Sequence, residues 1–577
     1  MTVFEVWAPG KTVKLRIGGQ DRDMERGEDG WWRRDVPEAG PGIDYSFLLP
    51  DHDTPLPDPR SRWQPEGVHG SSRVYDHSAF PWSDGAWTGR QLPGSVLYEM
   101  HVGTYTTVGT FDAAIERLDH LVDLGVDLVE LLPVNAFNGE HGWGYDGAGW
   151  YAPHEAYGGP DGLKRLVDAA HRKGLGVVLD VVYNHFGPSG AYAPMFAPYL
   201  SASGNNPWGS AINLDGPLSD EVRRYIIDSA LSWLRDYHVD GLRLDAVHAF
   251  VDANAVNLLE QMAVEVESLS THLGRPLSLI AESDLNDPKL ITPREAGGYG
   301  LQAQWDDDVH HALHALLTGE RQGYYGDFGS LDGLATVLEE AFFHAGTWSS
   351  FRQRHHGRPI DRHTMPGHRF VAYLQNHDQI GNRALGDRLS ALLSPGLLKV
   401  GATLLLTSAF TPMLFMGEEW AATTPWQFFT SHPEPDLADA VRTGRRREFG
   451  SHGWAQTDVP DPQDPATFER SKLDWTEVHK PGHAEILDLY KRLIALRRRR
   501  ADLSDPWLDR VDVEHGDRYV LMRRGHTAVA ANLAPVPQTI SLRAVPSKVL
   551  LATEPGVVPR HDRIELPPES AVIVAFR

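Results

Sequence analysis

Apolar positions along the first 90 residues fall in short alternating runs, Phe4–Trp7, Val13–Ile17, Trp31–Val36 and Tyr45–Leu49, with Gly, Pro and Asp clusters between them. Alternation of this kind predicts half-buried strands of a small β-sandwich. From Ser95 the pattern changes. Continuous apolar runs, the mark of strands buried on both faces, alternate with helix-period segments such as Phe111–Leu124, Leu163–Lys173 and Glu221–Tyr237. Eight runs qualify as strands: Val96–His101, Leu128–Pro133, Gly176–Tyr183, Gly241–Ala246, Leu277–Glu282, Leu301–Trp305, Phe370–Asn376 and Met413–Gly417. Eight such βα units predict an α/β fold, a (β/α)8 TIM barrel with insertions, in preference to an open doubly wound sheet. Strand-like runs return at Tyr519–Arg523, Thr527–Asn532, Val549–Ala552 and Ala571–Phe576 and predict a C-terminal β-sandwich. The expected organisation is therefore 1–90 sandwich, 91–504 barrel and 505–577 sandwich.

The polar ends of these runs suggest where chemistry sits. Catalytic groups of a barrel come from the C-terminal ends of its strands. Here strand three closes with Asp180-Val-Val-Tyr-Asn184-His185, strand four with Arg243-Leu-Asp245, strand five with Glu282 and strand seven with Asn376-His377-Asp378. Asp, Asn and His open many ordinary loops, so one such end means little, whereas four together point to one shared site. Arg243 and Asp245 are two apart and share a face of their strand, so a guanidinium lies beside a carboxylate and favours its ionised form. Glu282 follows the apolar run Leu277–Ala281, and burial near Asp245 and Asp378 predicts a protonated acid. Two carboxyls driven to opposite protonation form an acid and nucleophile pair.

Length and composition narrow the picture. At 577 residues the chain exceeds what a single core supports, and its 41% hydrophobic and 23% charged content is that of a globular protein. There is no cysteine, which rules out disulfides and thiolate chemistry and fits a cytoplasmic location. No secretory signal is expected, because Met1 leads into neither a basic stretch nor an apolar run. The uncharged stretch Gly401–Gly417 contains Pro412 and is too short for a bilayer, so a buried helix followed by a buried strand is expected there. A formal charge of −24 speaks against nucleic-acid and anionic-membrane partners. Arg445–Arg447 and Arg497–Arg500 are local exceptions, the latter reading as cations at the end of an amphipathic helix. A neutral substrate suits this charge, and 17 Trp, 18 Tyr and 20 Phe supply rings that can stack on sugars.

The motifs DVVYNH (180–185), GLRLDAVH (241–248), IAES (280–283) and LQNHDQIGN (374–382) resemble, in order and spacing, the four signature segments of the α-amylase family of glycoside hydrolases. The resemblance covers residues 95 to 500. It implies Asp245 as nucleophile, Glu282 as proton donor and Asp378 as a carboxylate that grips sugar hydroxyls and stabilises the transition state. It also implies that Arg243, His185 and His377 line the subsite of the cleaved sugar and that Tyr145 stacks beneath it. His248 and Gln379, in the same motifs, and Asp146, next to Tyr145 in WGYDG (143–147), are further expected contacts. PLPDPRSRWQPEGVHG (55–70), WGYDG (143–147), HALHALLTGE (311–320) and FMGEEW (415–420) are most similar to the maltooligosyltrehalose trehalohydrolase branch. That branch implies cleavage of the α-1,4 bond next to a terminal trehalose, with maltooligosyltrehalose and maltooligosaccharides as ligands and a maltooligosyltrehalose synthase as functional counterpart. Its flanking β-domains match the expected organisation, the N-terminal one being similar to a carbohydrate-binding module. In its loop after strand six, Trp305 and Asp307 would touch substrate. Branching and α-1,6-debranching enzymes share the four motifs, and a non-catalytic glycan-binding barrel is the rival of another class.

No cofactor or metal is expected. Gly142–Gly147 matches the spelling of a dinucleotide fingerprint but neither directly follows a strand nor opens a helix. His310 and His314 have a zinc-compatible spacing but no Glu or Cys in the required pattern. Asn184 stands where many α-amylases coordinate calcium, yet the insertion after strand three is small. Glu418-Glu419 reads as support for the barrel rim.

Overall fold

The computed structural model describes residues 2–206, 209–451 and 459–577. At its centre eight parallel strands close on themselves: β1 (Leu97–Met100), β2 (Leu128–Leu131), β3 (Gly176–Val181), β4 (Gly241–Leu244), β5 (Ser278–Ala281), β6 (Ala303–Trp305), β7 (Phe370–Ala372) and β8 (Thr411–Phe415). Closure runs through the register Met413↔Leu97, and Asp180 lies beside Arg243 where β3 meets β4. Each expected strand is present; seven are shorter than expected by two to four residues, and β8 is shifted two residues toward the N-terminus. Leu97, Leu128, Val178, Ile280, Ala303, Trp305, Val371, Tyr373 and Met413 point inward and fill the barrel as a packed core.

The helices follow with adjustments. Gly159–Arg172 and Ser219–Asp236 form as expected, each extended by a few residues at its start. The run Phe111–Leu124 folds as two pieces, Phe111–Ile115 and Leu118–Leu124, because tight bonds from Arg117 N–H to Ala114 and from His120 N–H to Arg117 (3.0 and 3.1 Å) interrupt the α ladder. The 401–417 stretch is a buried helix, Pro395–Thr407, followed by β8. Among the described residues no helix is long and apolar enough to cross a membrane.

Two antiparallel sheets form the N-terminal part, one ordered around Thr2–Trp7 and Trp31–Val36, the other around Lys14–Ile17 and Asp44–Leu48. Phe4 packs edge-on to Tyr45 across them at 4.8 Å, and Trp7 reaches Tyr199 of the barrel segment at 5.5 Å. At the other end a five-stranded sheet and a two-stranded one enclose Leu521, Ile540, Ile564 and Val572.

Two buried arginines meet at one helix end of the barrel, and the second of them joins the C-terminal part to it. Arg497, near the end of helix Pro481–Arg499, turns inward and donates to the carbonyls of Leu406 (3.1 Å), Ser408 (2.7 Å) and Phe410 (2.5 Å). Arg524, from strand Tyr519–Arg524, donates to Thr407 (2.8 Å), Ser408 (2.7 Å) and Leu503 (3.0 Å). Both cations therefore serve the C-terminal end of helix Pro395–Thr407, where unpaired carbonyls accumulate. Arg497 was expected to serve its own helix and serves a neighbouring one.

Candidate active site

The C-terminal ends of the strands open into a cavity of about 440 Å³. Its lining includes Tyr145, Asp146, His185, Arg243, Asp245, His248, Glu282, His377 and Asp378. Nine of the expected site residues thus meet in one place.

Local sequence explains how each arrives. Asp245 ends β4, and Ala246 after it takes a left-handed conformation (φ 40°), which costs about 1 kcal/mol in a non-glycine residue and is held by its surroundings. That turn aims the Ala246 N–H at Glu282 Oε2, 2.5 Å away. Asn376 caps the short helix His377–Gly381, its side chain accepting from the N–H groups of Asp378 (2.9 Å) and Gln379 (3.2 Å), and so places Asp378 at the cavity mouth. The WGYDG loop lies close over the end of β2. At Gly144 (φ 100°) a Cβ would stand 2.2 Å from the Pro133 carbonyl oxygen, so only glycine fits.

Arg243 organises the charges. It is buried, donates to Asp180 (3.0 Å to each oxygen) and Asp245 (2.6 Å), and lies 3.7 Å from Glu282. Asp245 also accepts from Asn184 Nδ2 at 2.7 Å. The residue at the calcium position of many α-amylases therefore serves the carboxylate beside it. Burial pushes Glu282 up to about 8; Arg243 works against this, and Asp245, Asp307 and Asp378 add to it. Burial also raises Asp180 to about 6, against the pull of Arg243. One guanidinium thus reaches three carboxyls: it hydrogen-bonds Asp180 and Asp245, the latter also held by Asn184, while Glu282 lies farther off, desolvated and protonated at neutral pH.

The imidazoles and Tyr145 are tied into this network. Tyr145 donates to Asp180 (2.6 Å) and meets His377 Nε2 (2.8 Å), with its ring stacked on His377. Glu99, inside β1, accepts from both the backbone N–H (3.0 Å) and Nδ1 (2.5 Å) of His377. Burial works to lower the His377 pKa and Glu99 overrides it, so the ring is raised above its ordinary value. His185 Nε2 meets the Tyr145 carbonyl at 2.9 Å, and His248 Nδ1 accepts from the Asp284 N–H at 3.3 Å.

Three expected contacts sit differently. Trp305 does not reach the cavity. It is 4% exposed, inside the barrel, and the Arg243 guanidinium lies 4.1 Å above its ring, a cation–π contact. The alternation Ala303-Gln-Trp305 turns its side chain inward, so its link to a sugar would run through Arg243. Asp307 opens helix Asp307–Thr318 beside the cavity, accepting from Tyr373 and, at 3.4 Å, from Gln379, which therefore faces Asp307.

The cavity also contains residues not foreseen: Trp143, Phe428, Thr430, His432, Asn382 and Arg445. Arg445 had stood out only as a basic exception; it donates to Gly381 and Asn382 and stacks on Phe428 (4.9 Å) and Phe449 (4.6 Å). Elsewhere, His310 is engaged by the Leu374 carbonyl (2.7 Å) and Tyr325 (2.9 Å), and His314 by Glu320 (2.8 Å). Glu418 and Glu419 lie outside the cavity, bound to Tyr490 (3.0 Å), Tyr98 (3.1 Å) and His120 (2.7 Å).

Comparison with known proteins agrees with this geometry. A family model for the alpha amylase catalytic domain matches residues 80–196, and one for a domain of unknown function matches residues 506–573. The malto-oligosyltrehalose trehalohydrolase of Arthrobacter ramosus is 58% identical, with 92% of this chain and 93% of that protein covered. That of Mycobacterium tuberculosis is 55% identical, with 97% and 96% covered. A 1,4-alpha-glucan branching enzyme of Corynebacterium jeikeium is 30% identical over 52% of this chain and 48% of its own length. The crystal structure of a Salmonella typhimurium protein described as an alpha amylase superposes with a TM-score of 0.91 at 40% identity, covering 99% of this chain and 97% of that one. With identities of this order over nearly its whole length, the chain belongs to the malto-oligosyltrehalose trehalohydrolase family.

Proposed function

We propose that this protein hydrolyses the α-1,4-glucosidic bond next to the terminal trehalose of maltooligosyltrehalose, with retention of configuration, releasing trehalose and a maltooligosaccharide. The observation that carries this reading is the pairing of Asp245 and Glu282 in one cavity, both within reach of Arg243, with burial pushing the Glu282 pKa up to about 8. Glu282 donates its proton to the glycosidic oxygen as an Asp245 oxygen attacks the anomeric carbon. The C–O bond breaks, trehalose leaves and a glycosyl ester on Asp245 remains. Glu282, now ionised, takes a proton from water, whose oxygen attacks the same carbon and frees Asp245. Asp378, His377 and His185 hold hydroxyls of the reacting sugar, and Tyr145 stacks beneath it. Asp307, His248 and Gln379 serve the flank nearer Glu282.

The functional counterpart is the synthase that makes the substrate, and we place the reaction in the cytoplasm, in keeping with the cysteine-free composition. Incubation with maltooligosyltrehalose and, separately, with amylopectin tests the assignment. Free trehalose from the former supports it; chain transfer or debranching alone defeats it. A glycan-binding barrel without turnover is separated by Glu282→Gln, which is expected to abolish hydrolysis and leave oligosaccharide binding nearly unchanged.

A further inference from the structure

Helix Pro435–Ser451 follows β8 in the chain and brings Arg445 to the cavity. The Arg445 side chain is 10% exposed, with its guanidinium 4.9 Å from the Phe428 ring and 4.6 Å from that of Phe449. It pairs with Glu448 (3.2 Å) on its own helix and donates to the Gly381 carbonyl and to Asn382 Oδ1 (3.0 Å). Gly381 is itself seated on Trp143, where a Cβ would overlap the indole ring. The guanidinium is therefore fixed from several sides at the end of the short helix His377–Gly381.

Asp378 stands in the first turn of that helix, and Asn382, which ends it, is four residues further on and shares its face. Asn382 Nδ2 donates to Asp378 Oδ1 at 2.6 Å. A guanidinium has donors only, so the Asn382 amide must turn its oxygen to Arg445, which leaves its NH2 for Asp378. The three side chains form one line of hydrogen bonds, Arg445 to Asn382 to Asp378. A cation on the amide oxygen polarises the amide and strengthens the bond that its N–H makes on the far side. Asn382 is exposed, so with one anchor it would exchange the carboxylate for water, whereas two anchors hold it in place. With Oδ1 engaged, the plane of the Asp378 carboxylate is restrained and its second oxygen has a defined direction.

We propose that Arg445 is a positioning residue for the reaction: acting through Asn382, it orients the Asp378 carboxylate toward the hydroxyls of the reacting sugar without touching the sugar itself. This rests on the hydrolytic reading above and gives Asp378 a support that comes from the segment after β8.

Rates of trehalose release from maltooligosyltrehalose give kcat and KM for wild type, Asn382→Ala, Arg445→Met and the double variant. Asn382→Ala is expected to lower kcat about tenfold, as for loss of a hydrogen bond to a charged group, and to change KM less than kcat. Arg445→Met should lower kcat about three- to tenfold in the wild-type background. In the Asn382→Ala background it should cost less than about twofold, because nothing then connects the guanidinium to Asp378. A merely structural loss, such as a smaller fraction of folded enzyme, would be the same in both backgrounds. Asn382 is exposed, so its replacement leaves the fold intact and its kcat is readable even if Arg445→Met folds poorly. Three results overturn the proposal while the hydrolytic reading stands: an unchanged kcat in Asn382→Ala, equal losses for Arg445→Met in the two backgrounds, or a rise in KM alone for Arg445→Met, as from a direct sugar contact. If wild-type protein releases no trehalose, the hydrolytic reading fails and the proposal with it.

Discussion

Replacing Glu282 by Gln removes a proton donor and also relieves a strain on folding. The Glu282 side chain is 18% exposed, and its pKa rises from an ordinary 4.5 to about 8 in the folded protein. Folding therefore takes up a proton between these two values, and stability falls as the pH climbs from about 4.5 to about 8. At pH 7 the unfolded chain is ionised at this position and the folded one is not. Linkage gives a cost of up to about 3 kcal/mol at that pH, vanishing at about pH 4. Gln carries no such cost, and its carbonyl oxygen can still accept from the Ala246 N–H. Glu282→Gln should thus be inactive yet melt a few degrees above wild type at pH 7, with the gap closing by about pH 4. Thermal unfolding followed at several pH values measures this. Melting curves for the two proteins that run parallel across the range would refute the assignment of a raised pKa, and with it the argument for Glu282 as acid.

The same shift predicts that wild-type kcat/KM falls on the alkaline side with an apparent pKa near about 8, a value that belongs to the coupled carboxylates as a group and is read from a pH–rate profile. Glu99→Gln should lower kcat/KM about tenfold, as expected when a charged hydrogen bond is weakened, and more at about pH 8 than at about pH 5, because His377 loses the group that keeps it protonated; a pH-independent loss would count against that role. Trp305→Ala should destabilise the barrel by about 3–5 kcal/mol in denaturant titration and lower kcat more than it raises KM, since the ring supports Arg243; a rise in KM alone would instead indicate direct sugar contact.

The barrel was legible because its strands are short, predominantly apolar runs, a pattern that burial on both faces imposes, and four of them lead into polar residues. Strands that follow no such rule escaped: Gln20–Asp23 is polar and mostly exposed, and its partner Lys14–Ile17 holds it in place. Gln538–Ser541 and Arg563–Leu566 form a two-stranded sheet and each bury few side chains. The carboxylates stood out as chemistry at strand ends. Glu99 did not, since it lies inside an apolar run and works on a residue nearly 300 positions away, through its hydrogen bond to His377. His432 and Phe428 belong to an irregular segment without helical or strand periodicity, so only the fold brings them to the cavity. Trp305 closes strand six, and the resemblance assigned it to substrate as part of the loop that follows, whereas the two-residue period from Ala303 points it into the barrel.

The arginines at 497 and 524 show how a sequence boundary can differ from a mechanical one. Pattern changes suggest that the chain could be cut near residue 505 to leave a self-sufficient barrel. Such a cut would delete Arg524 and with it two of the hydrogen bonds that close the helix feeding β8, the strand that completes the ring. A shortened protein should therefore lose cohesion at the seam between the first and last strands, far from the cut in sequence. The C-terminal sheet acts as a keystone for the enzyme, and attempts to miniaturise it should retain that segment.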